Sequence, residues 1–195
     1  MIGVGPHPKP WPQGEQYDPE LLATGDRRNV DDKYRYWTVE AIKADLDTSR
    51  VDLQIAVENW QHDFNIGTIV RSANAFNVSA VHIIGKKQWN RRGAMVTDRY
   101  VTILHHKTIT EFVAAVEGRS VIAIDNVAGS TPLRAATLPK KSVLVFGGEG
   151  PGVSVALLAA SQATVAIEQF GSTRSVNVGV AAGIVMYEWL RRHEL

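Results

Sequence analysis

The sequence predicts an α/β fold, a mostly parallel sheet with helices on both faces. Three observations carry that expectation. Short apolar runs rich in Val and Ile recur along the chain and are continuous rather than alternating, as strands buried on both faces require. Between them lie stretches whose apolar residues recur at helical spacing. The 195 residues, 45% of them hydrophobic, suffice for one core and are few for two.

The elements follow in order. Residues 1–50 read as an N-terminal extension. Pro6, Pro8, Pro10, Pro12 and Pro19 suggest an extended, poorly packed arm, and residues 38–49 suggest a short helix capped by Thr38. Residues 51–195 are the regular part. VDLQIAVENW (51–60) reads as a strand, residues 65–76 as a helix, and AVHIIG (80–85) as a strand. Residues 108–116 read as a helix, SVIAIDN (120–126) and SVLVFGG (142–148) as strands, and 153–162 as a helix. ATVAIEQ (163–169) is a strand again, and 177–192 the last helix. In such sheets ligands bind beyond the carboxyl ends of the strands, so the residues following each strand are the place to look for function.

Composition narrows the classes. With 21 Lys and Arg against 20 Asp and Glu, bulk charge does not hold the protein to nucleic acid or membrane, although local patches still can. Without cysteine there is no disulfide, thiolate nucleophile or Cys-based zinc site. The six histidines show no metal-like spacing with carboxylates, so no metal is expected, and neither G-x-S-x-G nor H-E-x-x-H occurs. The opening residues lack a signal-peptide apolar region, and the longest nearly apolar stretch is short for a bilayer. A soluble, cytoplasmic protein without membrane association is the expectation.

Four segments carry candidate chemistry. In NIGTIVRSANAF (65–76), Ile66, Ile69, Val70, Ala73 and Phe76 form one apolar stripe, with Asn65 placed to cap. Arg71 lies off that stripe, one turn after Gly67, whose missing side chain leaves open space. This is either a capped amphipathic helix with a solvated Arg, or an Arg and a helix N-terminus aimed at an anion. FGGEGPGVS (146–154) lets backbone approach a ligand closely, but it is neither a P-loop nor a dinucleotide fingerprint in its usual place. Glu149 within it would repel phosphate and suits a neutral or positive ligand; an ordinary strand-to-helix turn is the alternative. GSTRSVNVGVAAGI (171–184) turns from a polar loop into a helix that Ser175 or Asn177 can cap, and its small residues permit close packing. Finally, residues 86–107 hold Lys86, Lys87, Arg91, Arg92, Arg99 and Lys107 against one acidic residue, Asp98, with Trp89 and Tyr100 among them. They form either a solvated loop or a phosphate-tracking surface with stacking aromatics.

Taken in order, N-I-G-T-I-V-R-S-A-N-A-F, V-F-G-G-E-G-P-G-V-S and S-V-N-V-G-V-A-A-G-I running into Y-E-W-L-R-R resemble the SpoU (TrmH-like) class of the SPOUT methyltransferases. The resemblance covers about residue 51 to the C-terminus. It implies a C-terminal deep trefoil knot and a homodimer with the last helix and the first-motif helix near the interface. It also implies methyl transfer from S-adenosyl-L-methionine to a ribose 2′-hydroxyl of tRNA or rRNA. Position by position it implies cofactor contacts at Gly147, Ile167 and Val176. Arg71 matches the family's catalytic arginine, and Asn65, Glu149, Ser175 and Asn177 match its other active-site polar residues. Apart from the resemblance, the basic run offers Lys86, Lys87, Arg91 and Arg92 as candidates for RNA contact. Three departures stand out: Gly179 where Ser is usual, Glu168 and Gln169 in the usual Ile-Pro-Met, and Asn77 in place of Gly, which Asn tolerates because it visits positive φ. A non-catalytic RNA-binding or assembly protein on the same scaffold is the other expectation.

Overall fold

The computed structural model describes residues 3–60, 65–148 and 150–195. Among them, seven strands form one sheet, and every strand pair is parallel. The strands are β1 (Val51–Asn59), β2 (Val78–Gly85), β3 (Ile103–His106), β4 (Ser120–Ile124), β5 (Thr131–Pro132), β6 (Ser142–Phe146) and β7 (Ala163–Ala166). Their spatial order is β3-β2-β1-β6-β4-β7-β5. The chain winds outward from β1 to β3, crosses to β4, and returns to place β6 beside β1. Strand order therefore reverses around β1 and β6, where such sheets bind ligands.

Both faces are covered, as continuous apolar strands require. Leu53, Ile55 and Val57 of β1, with Leu144 and Phe146 of β6, point to one face. There they meet α3 (Asn65–Ala75) and α6 (Val178–His193). Ala56, Val143 and Val145 point the other way, onto Phe112 of α4 (Ile109–Ala115) and Leu157 of α5 (Val155–Ala160). The predicted α3 stripe is fully buried at Ile66, Ile69, Val70 and Ala73. The caps fall where the short hydroxyl residues stand: Thr108 Oγ1 accepts from Glu111 N, and Ser154 Oγ from Leu157 N.

The N-terminal segment differs from a loose arm. Its Pro-rich stretch has no helix or regular strand, but α1 (Pro19–Thr24) and α2 (Val39–Asp47) follow, and the latter carries the expected Thr38 cap. Asp26 staples the segment together. Its fully buried carboxylate accepts from Arg28 Nε at 2.9 Å and from the backbone N–H of Arg28 and Tyr36 at 3.0 Å each. Burial pushes this acid up, but the Arg28 and backbone hydrogen bonds outweigh it and hold the pKa at about 2. Tyr36 Oη in turn donates to Gly5 O at 2.7 Å. Proline spacing signals extended backbone but not a buried acid that gathers it.

Two more strands, β3 and β5, are not expected from the sequence. Ile-Leu-His-His and the two residues Thr-Pro lie at the two edges of the sheet, too short and too polar for a strand signal.

Candidate active site

A cavity of about 510 Å³ opens at the carboxyl ends of β4, β6 and β7. Residues 124–127 follow β4, residues 146–148 and 150–152 follow β6, and Ile167 and Gln169 follow β7; residues 174–178 close it from the α6 side. The expected cofactor contacts Gly147, Ile167 and Val176 all line this one space, as do Ser175 and Asn177.

The glycine-rich turn is folded back on itself. A Cβ at Gly147 would lie 1.9 Å from the carbonyl carbon of Gly152, so no side chain fits there. Gly152 has φ +71, and Asp125 Oδ2 stands 2.4 Å from where its Cβ would be. That carboxylate accepts from Val153 N at 2.7 Å, while its Oδ1 accepts from Asn126 N at 2.7 Å. Asn126 Nδ2 donates to Arg174 O, tying the β4 end to the 174–178 segment. Glu58, buried at the end of β1, accepts from Ser154 N at 2.7 Å and pins the far side of the turn. Sequence reasoning names neither Asp125 nor Glu58. The available signal is their place at strand ends, where a lone carboxylate carries no motif.

The catalytic candidates come together in part. Asn177 caps α6, its Oδ1 accepting from Gly179 N and Val180 N. Its Nδ2 donates to Asn65 Oδ1 at 2.9 Å, across 112 residues of chain. Asn65 is the first residue of α3, so this contact joins the N-termini of two helices at the cavity's side. Both termini carry partial positive charge. Arg71 is exposed two turns further along α3. Glu149 lies outside the described residues.

The space beside Gly67 is not open. A Cβ there would meet Ala94 N at 2.8 Å and Asn90 O at 2.9 Å, because the basic segment docks its backbone onto α3. Gly67 and Arg71, four residues apart, share a helix face. The turn carrying Arg91 and Arg92 therefore packs one helical turn from Arg71, and both arginines are exposed, as are Lys86 and Lys87. Tyr100 is 3% exposed and cannot stack on a ligand, which removes it from the expected aromatic pair. Trp89 is half-buried, with the Arg91 guanidinium 5.5 Å from its ring.

Each departure from the motifs has a physical setting. Gly179 lets α6 approach α3, since a Cβ there would sit 3.0 Å from Thr68 Cγ2. Glu168 does not line the cavity; its Oε1 is 2.9 Å from Arg134 Nε, a charge contact rather than an aligned hydrogen bond. Asn77 takes φ +52, and its side chain also donates to Ser49 O at 3.0 Å and accepts from Arg50. Glycine would supply the φ without that latch.

A family model described as the SpoU rRNA Methylase family matches residues 52–187. The chain belongs to this family. Among relatives, tRNA (guanosine(18)-2′-O)-methyltransferase of Escherichia coli K12 is 24% identical over 148 residues, 73% of this chain. The chain spans 65% of that relative's own length. Among solved structures, the A. aeolicus TrmH/SpoU tRNA modifying enzyme superposes with a TM-score of 0.70 at 26% identity, over 80% of this chain and 82% of the other. The AdoMet-bound rRNA methyltransferase from Sinorhizobium meliloti gives 0.67 at 25% identity, over 77% and 61%. The SpoU family match thus covers all but the first residue of the sheet, and every residue lining the cavity.

Two negative observations accompany the SpoU match. Among the described residues no helix is long and apolar enough to cross a membrane. Nor does any group of three His, Asp or Glu there stand ready to hold a metal ion.

Proposed function

We propose that this protein transfers a methyl group from S-adenosyl-L-methionine to a ribose 2′-hydroxyl of tRNA or rRNA in the cytoplasm. One observation carries the reading: five residues singled out by motif, Gly147, Ile167, Ser175, Val176 and Asn177, line one cavity at the strand ends. The cavity also fits the cofactor in kind. Gln169 on its wall has a buried Oε1 without a hydrogen-bond partner, an acceptor suited to a ligand N–H.

When bound, the cofactor supplies a methyl on a sulfonium that is already electrophilic. The protein's task is then alignment of the ribose oxygen and removal of its proton. A guanidinium is a poor base but a good phosphate ligand, and this is the role given to Arg71. It binds the phosphate beside the target ribose and orients the 2′-hydroxyl, with Asn65, Ser175, Asn177 and Glu149 as the neighbouring polar groups. Lys86, Lys87, Arg91 and Arg92 track the RNA backbone next to it.

Residues 51–195 are the methyltransferase domain and 1–50 an extension. The C-terminal segment forms the family's trefoil knot, and two copies form a dimer. Self-association is supported by a second apolar stripe on α6. Val180, Ile184 and Tyr187 are 54%, 40% and 52% exposed, opposite the buried Ala182, Val185, Met186 and Trp189. Tyr187 meets Phe76 of the first-motif segment, ring centroids 6.3 Å apart, which broadens the stripe toward α3.

Calorimetric titration with S-adenosyl-L-methionine tests the reading. Saturable binding at about one site per chain is expected, followed by 2′-O-methylated nucleosides in treated tRNA or rRNA. A folded protein that binds RNA but no cofactor would favour the non-catalytic RNA-binding alternative.

A further inference from the structure

Beside the cavity, on the strand next to β6, stands an aromatic side chain that the site above does not use. Trp60 follows β1 directly and is 44% exposed. It is held rigidly. Its indole N–H donates to Glu58 Oε1 at 2.9 Å, and its ring lies against Gly85 at the end of β2. Gly85 has φ +103, and a Cβ there would sit 2.7 Å from indole Cε3. A bare backbone at residue 85 is what lets the ring lie down on it.

Two cations are fixed alongside. Asn59 pairs with Gly85 in register, accepts from Lys86 N at 2.8 Å, and donates through Nδ2 to Lys86 O and Gln88 O at 2.7 and 2.8 Å. This latch holds the backbone of Lys86 and Lys87 immediately beside Trp60 while both side chains remain exposed. His105 on β3 contacts Gly85 O at 2.8 Å and supports the same turn from the other side. The acid closest in sequence, Glu58, is buried and engaged by the indole and by Ser154 N.

A large exposed ring costs the folded chain apolar contact with water, and here Glu58 and the bare Gly85 backbone set its pose. An aromatic plane fixed beside ammonium groups matches an unpaired base with its flanking phosphates. We propose that Trp60 is a stacking platform for an unstacked base of the RNA substrate, with Lys86 and Lys87 binding the adjacent phosphates. This rests on the RNA-methyltransferase reading and adds to it a base contact on the β1–β2 side of the cavity.

The test measures binding of unfractionated tRNA and of a single-stranded oligoribonucleotide over a salt series, for wild type, Trp60→Ala, Trp60→Phe and Lys86→Ala/Lys87→Ala. Trp60→Ala is expected to weaken RNA binding by roughly tenfold or more, as removal of one stacked base does, without changing the salt dependence. Trp60→Phe should recover most of that loss. The double lysine variant should instead flatten the plot of log K against log salt by about 0.7 for each phosphate no longer neutralised. S-adenosyl-L-methionine binding should stay within twofold in all of them. RNA binding by Trp60→Ala within twofold of wild type overturns the proposal. So does an equal loss in Trp60→Phe accompanied by weakened cofactor binding, because the indole then only supports Glu58 and the glycine-rich turn. Failure of the wild type to bind any RNA would overturn the RNA reading itself, and this inference with it.

Discussion

Around the cavity, polar groups at strand and helix ends bond to backbone N–H groups. Asp125 holds Asn126 N and Val153 N, Glu58 holds Ser154 N, and Asn177 holds two N–H groups of α6 and the side chain of Asn65. Beneath α4 a second group, Gln54 and His82 within their strands and His106 at the end of β3, bonds within itself. His82 and His106 face across β2 and β3 with ring nitrogens 2.8 Å apart, His82 Nε2 meets Gln54 Oε1 at 3.0 Å, and Phe112 covers both rings edge-on. The first arrangement shapes a cavity and leaves room for a ligand. The second is closed and uses its hydrogen bonds only to satisfy itself. Buried polarity alone therefore does not mark function; whether it holds backbone around an open cavity does.

The sharpest way to break this contrast is at Arg71, exposed on the functional side and outside every structural network described above. Arg71→Ala should lower methyl transfer about 10²- to 10³-fold, the cost of losing one positioning donor at a reacting centre, with cofactor affinity unchanged. Single-turnover transfer measured beside calorimetric cofactor binding checks it. Joint loss of both would make Arg71 a structural residue.

At Gly147 the functional side should fail through packing. Alanine there has no space against Gly152, and overpacking of this kind costs about 3 kcal/mol. Gly147→Ala should lower the urea midpoint and abolish cofactor binding. A stable variant that still binds would show the glycine-rich turn to be adaptable.

The closed side should fail through pH. With both rings neutral, His82 Nε2 donates to Gln54 Oε1 and His82 Nδ1 accepts from His106 Nε2. Burial, then the charges of His106 and Arg119, lower the His82 pKa to about 4. Burial also lowers that of His106, with Glu111 opposing and His105 assisting. With the folded value below the ordinary 6.5, the unfolded chain takes up the proton first as pH falls. Stability is therefore full above about pH 6.5 and declines toward pH 4, by about 2 kcal/mol at pH 5 for His82 alone. Urea unfolding at pH 7 and pH 5 checks this, and His82→Gln should flatten the difference.

The same contrast decides what is legible in the sequence. The α3 stripe, the caps Thr38 and Asn177, and the glycine-rich turn are legible because each is a local pattern with a local cause. Gly67 misleads for the opposite reason. Spacing places it on the Arg71 face but says nothing of the 90–94 backbone that fills the gap. Asp125, Glu58 and Trp60 carry no motif and acquire meaning only when parallel strands bring their ends together. The His82–His106 pair likewise depends on β3 lying beside β2, a strand whose four residues give little signal.

A smaller effect is expected where the two helix N-termini meet. Asn177→Ala removes the α6 cap and the Asn65 contact together, at about 1 kcal/mol for the cap, which lowers the melting temperature by roughly 2–4 °C in a chain of this size. Asn177→Asp keeps an acceptor for Gly179 N and Val180 N but loses the donor to Asn65. It should retain the melting temperature while reducing methyl transfer. If the aspartate variant is fully active, the Asn65–Asn177 contact is structural only.

The smallest effect tests the most visible departure from the family motif. Glu168 places a carboxylate two residues from the Ala166 end of β7, next to the cavity residues Ile167 and Gln169. Its charge meets Arg134, whose side chain is 82% exposed, so water screens the pair and its worth is below about 1 kcal/mol. Because the carboxylate does not line the cavity, it has no direct hold on a ligand there. Glu168→Gln should therefore shift the melting temperature by about 2 °C or less and leave cofactor affinity within twofold of wild type. An affinity gain of tenfold would mean that this carboxylate acts on the cavity after all, through Gln169, whose buried Oε1 would then have been held away from the ligand by its neighbour's pairing.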